Sequence, residues 1–202
     1  MLLRTIRHVA WAFAAIGTLW LALAFVYRAQ VPSQQTIPAN LGRIGGPFVM
    51  IDHRGRAFTD RDLAGRPAML FFGFTHCPDV CPSALASMTE QLAALGERGN
   101  EILPVFVSVD PERDTPELLR DYLAGFDPRI VGLTGSSQQV ADMARAYKAY
   151  YRKVQLKDGH YVMDHTAGVL LVDRRGNFRG TLDPHEPLAT RIEKLRALAG
   201  TG

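Results

Sequence analysis

Hydrophobic and polar positions divide the chain into three regimes. Val9 to Tyr27 is apolar without interruption by charge, Arg28 to Gly45 is polar with Pro32 and Pro38 and has no sustained period, and from Gly46 onward short apolar runs alternate with stretches of helical period. The first is long enough, at about 1.5 Å per helical residue, to cross a hydrocarbon layer of roughly 30 Å. It reads as a transmembrane anchor over 9–27, preceded by a short cytoplasmic 1–8 and followed by a linker over 28–45.

Within 46–202 the elements follow from period and punctuation. Pro47–Ile51 and Arg56–Phe58 bracket Asp52-His53-Arg54-Gly55 and predict a small hairpin. Ala68–Phe74 is a buried strand and Pro82–Leu95 a helix, with Leu85, Met88, Leu92 and Leu95 on one face. Ile102–Val109 is a second buried strand despite Pro104; Thr115-Pro116-Glu117 opens a helix as cap and first turn, and Ser137–Ala149 forms another. Tyr151–Leu156 and Tyr161–Met163 flank a Lys157-Asp158-Gly159-His160 turn, Val169–Val172 and Asn177–Leu182 flank Asp173-Arg174-Arg175-Gly176, and Pro187–Leu198 closes as a helix. Strand, helix, strand, helix, antiparallel hairpins and a terminal helix make the order of an α/β, thioredoxin-like fold.

Charge narrows the picture. The pI is near 9.0, yet three of the 23 basic residues (Arg4, Arg7, Arg28) lie before Ala29 with no acid among them, and the rest balance the 20 acidic residues. The domain is formally neutral and offers no basic stripe for nucleic acid. Two arginines before the apolar run and one after it orient the N-terminus to the cytoplasm and the domain outward. A cleaved signal peptide is the alternative, with Ala22-Leu23-Ala24 at cleavage spacing; either way the domain is exported. No cysteine directly follows the apolar run, so a lipid-attached form is not expected.

The two cysteines, Cys77 and Cys81, are four apart, so a bridge between them closes too short a loop to be a structural staple. They stand in Phe74-Thr75-His76-Cys77-Pro78-Asp79-Val80-Cys81-Pro82, where a buried strand hands over to a helix. Pro82 suits the first helical position, which puts Cys81 at the helix N-terminus, where free N–H groups favour thiolate over thiol. Redox chemistry and metal binding both suit such a pair. Two thiolates do not complete a structural zinc site, so further ligands must be His or carboxylate. His53, His76, His160 and His185 are candidates, and His165, in Asp164-His165-Thr166 before the strand Val169–Val172, is the strongest. In a thioredoxin-like sheet that position faces the cysteines. A Cys2His set suits copper in either oxidation state.

The chain resembles the Sco/SenC family of copper-binding proteins of cytochrome c oxidase assembly. The resemblance rests on Gly73 to Pro82, on Ser108-Val109-Asp110-Pro111-Glu112-Arg113-Asp114-Thr115-Pro116, and on Asp164-His165-Thr166. It implies copper binding by Cys77, Cys81 and His165, and a domain in the periplasm or mitochondrial intermembrane space, with the short N-terminus favouring a single-pass protein of a bacterial inner membrane. It also implies cytochrome c oxidase subunit II as acceptor and admits other periplasmic copper chaperones as partners. Asp79 and Asp164 flank the ligands and either assist the ion, orient His165, or are plain turn residues. Asp110 to Pro116 is assigned a loop over the site and no catalytic role. Thiol-disulfide reduction of an acceptor's cysteines uses the same sulfurs and stays open, as do a thiol peroxidase with Cys77 attacked and Cys81 resolving, and a redox sensor.

Overall fold

The computed structural model describes residues 44–200. The expected anchor (9–27) and nearly all of the linker (28–45) lie outside the described residues; among those described, no helix is long and apolar enough to cross a membrane.

The centre is built by the two most apolar segments. β3 (Ala68–Gly73) and β4 (Leu103–Ser108) are buried at every position and pair in parallel from Ala68↔Leu103 to Gly73↔Ser108. Burial on both faces is why they read as continuous apolar runs without alternation. Pro104 is accommodated at the start of β4: Leu103 N–H donates toward β3, to the Pro67 carbonyl, so the missing N–H of the next residue belongs to the opposite side. There, pairing with β5 (Val131–Thr134) begins only at Val105↔Val131.

Around this core the hairpin β1 (Val49–Asp52) and β2 (Ala57–Thr59) joins antiparallel to β5, while β8 (Val169–Val172) and β9 (Phe178–Leu182) join antiparallel to β3. The seven strands run β2-β1-β5-β4-β3-β8-β9, and β6 (Tyr151–Gln155) with β7 (Tyr161–His165) forms a separate two-stranded ribbon. The helices are α1 (Asp60–Leu63), α2 (Val80–Ala94), α3 (Pro116–Leu123), α4 (Ser137–Tyr147) and α5 (Leu188–Ala199). Helix α3 packs on β5, α4 on β1, and α5 on α2 and β9. Phe71, Phe72, Phe106, Leu85, Met88 and Leu92 are essentially inaccessible, each contributing about 1.5–3 kcal/mol by burial.

This is the expected thioredoxin-like α/β arrangement, with four differences. β5 was not foreseen: it has four residues, includes Gly132 and sits between Pro128 and Gly135, so it carries almost no apolar run. A Cβ at Gly132 would come within 2.6 Å of the Leu123 terminal methyl, so a larger residue would need that side chain to move. The short α1 and a 3-10 turn at Gly96–Asn100 were also unforeseen. Finally, α2 begins at Val80, two residues earlier than Pro82. Pro82 is thus its third residue, where an intrahelical N–H partner is lacking in any case.

Candidate metal centre

Parallel pairing of β3 with β4 aligns their C-terminal ends, and the loops leaving those ends build the site. The turn after β3 carries Cys77; Cys81 follows in the first turn of α2 and is fully buried, with Cys77 half-buried above it. Both are free thiols, and the Cys81 N–H donates to Cys77 Sγ at 3.3 Å. Cys81 sits where β3 has no side chain: a Cβ on Gly73 would lie 2.8 Å from its sulfur and 2.8 Å from the Phe106 ring.

His165 ends β7 and reaches the same place, with Nε2 3.5 Å from Cys81 Sγ. Its Nδ1 is 3.0 Å from the Thr166 carbonyl oxygen. A carbonyl only accepts, so that contact puts the proton on Nδ1 and leaves the Nε2 lone pair toward the sulfur. Phe71 and Phe74 meet the imidazole edge-on, with centroids 6.0 and 5.8 Å away. Among the described residues, Cys77, Cys81 and His165 are the one group of three such side chains whose ligand atoms all lie within 4.8 Å of one another. Ligands about 2.0–2.3 Å from an ion stand roughly 3.5–4 Å apart, so the donor set fits a metal with only slight closure.

Burial pushes the Cys81 thiol well above its ordinary value, opposed by a hydrogen bond with the Phe74 backbone and reinforced by Cys77. The expectation of a thiolate favoured by the helix end is therefore corrected for Cys81: α2 starts before it, and desolvation outweighs the free N–H groups.

The other candidates stay out of the cluster. His53 Nδ1 accepts from the Gly132 N–H at 3.0 Å as a structural contact, and His160 and His185 are both exposed. His76 is half-exposed beside Asp114. Asp79 stands at the N-cap position of α2 without a capping side-chain bond and is exposed. Asp164 turns to Arg152 across the ribbon, 3.4 Å away, so a backbone carbonyl, not Asp164, orients His165.

Asp110 to Thr115 proves to be the frame of the site. Asp114, almost wholly buried, accepts from Thr75 N–H at 3.1 Å, Thr75 Oγ1 at 2.6 Å and Ser108 Oγ at 2.6 Å, tying the cysteine turn to β4. Burial raises its carboxyl, against those same hydrogen bonds. Asp110 accepts from Tyr161 Oη at 2.9 Å and from Arg113 Nε at 2.5 Å, and the Arg113 guanidinium lies 3.8 Å over the Tyr161 ring. The ribbon bearing His165 is thereby held to the loop after β4.

Comparison with known proteins places this geometry. The SCO1/SenC family model matches residues 38–200. The chain belongs to the SCO1/SenC family. An SCO2-like protein of Rickettsia conorii is 38% identical over 166 residues, covering 81% of each chain. The structure of Bradyrhizobium japonicum ScoI with copper bound has 43% identity and a TM-score of 0.72, covering 77% of this chain and 99% of that one. Yeast Sco1 with copper bound has 33% identity and a TM-score of 0.73, covering 79% and 90%.

Proposed function

We propose that this chain binds copper through Cys77, Cys81 and His165 and serves assembly of the binuclear copper centre of cytochrome c oxidase, with subunit II as acceptor. The observation that carries the reading is the convergence of two sulfurs from one strand-to-helix turn and one imidazole from a separate strand, within 4.8 Å. Thiolate and imidazole donors suit copper as Cu(I) by softness and as Cu(II) by intrinsic affinity. The family's copper-bound relatives support the same choice. Copper here is cargo, and what the protein supplies is a preset cage. Gly73 makes room for Cys81, Thr166 fixes the imidazole tautomer, Phe71 and Phe74 wall the ring, and Asp114 fastens the cysteine turn. The apolar run over 9–27 supports a single-pass anchor in the inner membrane with the domain in the periplasm.

Titration of the reduced protein with Cu(I) against a competing chelator tests this. About one copper per chain is expected, with Cys77→Ser, Cys81→Ser and His165→Ala each weakening it by at least tenfold; unchanged affinity in any of the three removes that residue from the site. A second reading, reduction of the acceptor's cysteines, is favoured by the half-exposure of Cys77 with the free thiol of Cys81 beneath it. It predicts a mixed disulfide through Cys77, trapped in Cys81→Ser.

A further inference from the structure

Beside the metal centre, between α2 and the start of α5, lies a cavity of about 420 Å³, a size typical of small-ligand sites. Ala84, Met88, Val169 and Leu182 give it an apolar wall, while Ser87, Gln91 and Arg191 stand together on another. Gln91, only 2% exposed, donates from Nε2 to Ser87 Oγ at 2.9 Å, and Arg191 Nη1 donates to the same oxygen at 2.6 Å. Each then keeps a buried polar atom with no partner: the acceptor Gln91 Oε1 and the donor Arg191 Nε. Among the described residues Arg191 has no carboxylate within ion-pair distance, whereas the part-buried Arg113, Arg129 and Arg174 each sit on one. A buried guanidinium N–H without an acceptor and a buried amide oxygen without a donor each cost stability unless something completes them.

We propose that this cavity binds the C-terminal residue of a peptide, with an apolar side chain against Met88, Val169 and Leu182. Its carboxylate would accept from Arg191 and its backbone N–H would donate to Gln91 Oε1. Both unpartnered atoms belong to side chains held on one hydroxyl, which matches the closeness of carboxylate and N–H in a single terminal residue. Asp79 and Asp183 also line the cavity, so a singly charged headgroup suits it better than a phosphate. Asp79 and Val80 lie between the two cysteines, so an occupant adjoins the metal centre without using its ligands.

The test uses the full chain with methyl-labelled methionines, the Met88 signal being assigned by Met88→Leu, and needs no copper. N-acetyl-leucine is expected to shift the Met88 methyl saturably. N-acetyl-leucinamide, which lacks the carboxylate, and hexanoate, which lacks the N–H, should each bind at least about tenfold more weakly, the size of one charge-assisted or one buried hydrogen bond. A peptide ending in leucine should match N-acetyl-leucine. In Arg191→Met, with a spectrum otherwise unchanged, the preference for acid over amide should vanish. A Met88 methyl that does not move, or equal binding of acid and amide by the wild type, overturns the proposal; hexanoate binding as well as N-acetyl-leucine removes Gln91 from it.

Discussion

Gly73 and His165 show how single positions set this site. Gly73 is the one place on β3 where any side chain would collide with both Cys81 Sγ and Phe106. Gly73→Ala is predicted to destabilise the domain by about 1–3 kcal/mol through overpacking and to weaken copper binding, as read by urea unfolding and chelator competition; a variant with wild-type copper affinity would show that Cys81 need not sit where it does. Because burial holds Cys81 as a thiol and copper requires the thiolate, metal uptake must displace its proton. Affinity should therefore rise with pH across the neutral range, with proton release seen in weakly buffered titrations; uptake without proton release would contradict this. Much of the site was legible in the sequence. Cys77 and Cys81 stand out as a close thiol pair at a strand-to-helix turn, His165 stands out through fold context and the family resemblance, and Gly73 carries no comparable signal. Asp114 was not singled out: a buried aspartate gathering bonds from Thr75 and Ser108 leaves no periodic trace, and its only signal was its place in the run from Ser108 to Pro116.

Among the elements, two turns are built alike. In Asp52-His53-Arg54-Gly55-Arg56 the Asp52 Oδ1 accepts the N–H groups of Arg54 and Arg56, and in Asp173-Arg174-Arg175-Gly176-Asn177 the Asp173 Oδ1 accepts those of Arg175 and Asn177. Gly55 and Gly176 supply φ of 78° and 77°. Such turns announce themselves in sequence, which is why both hairpins were located, whereas β5 was invisible because its burial comes from neighbours on both sides and not from its own residues. The β6–β7 ribbon hangs on Arg113 and Tyr161. Arg113→Met is predicted to speed amide exchange in β6 and β7 at least tenfold while β3 and β4 stay protected; uniform protection would refute the clamp. At the end of α4, Lys148 is the one described non-glycine residue at positive φ, 56°. Lys148→Gly should raise stability by ~0.5–1 kcal/mol, because a Cβ disfavours that conformation; a loss on urea unfolding would contradict this.

For the whole molecule, acid stability follows from a few carboxylates. Burial raises Asp52 and Asp173, but the turn N–H groups and arginines bonded to them outweigh it and leave both lowered; the Arg129 side chain lowers Asp127. A carboxyl lowered on folding stabilises above its unfolded value, about 3.9, and that stability is lost as pH falls through the folded value. Asp114, raised by burial, acts in the opposite sense and regains stability on acidification. The exposed Glu117 and Asp142 are lowered as well, so the lowered carboxyls outnumber Asp114 and predict a urea midpoint that falls below about pH 4, less steeply in Asp127→Asn; a midpoint that rises between pH 6 and 3 would contradict it. The architecture brings the donors together: parallel central strands align two loops, and a separate ribbon carries the imidazole of His165, the third proposed ligand, to them. X-ray absorption of the copper-loaded, reduced protein tests that claim most directly. The account predicts two sulfur ligands and one imidazole nitrogen in the wild type and loss of the nitrogen in His165→Ala, whereas an imidazole retained in that variant would contradict it.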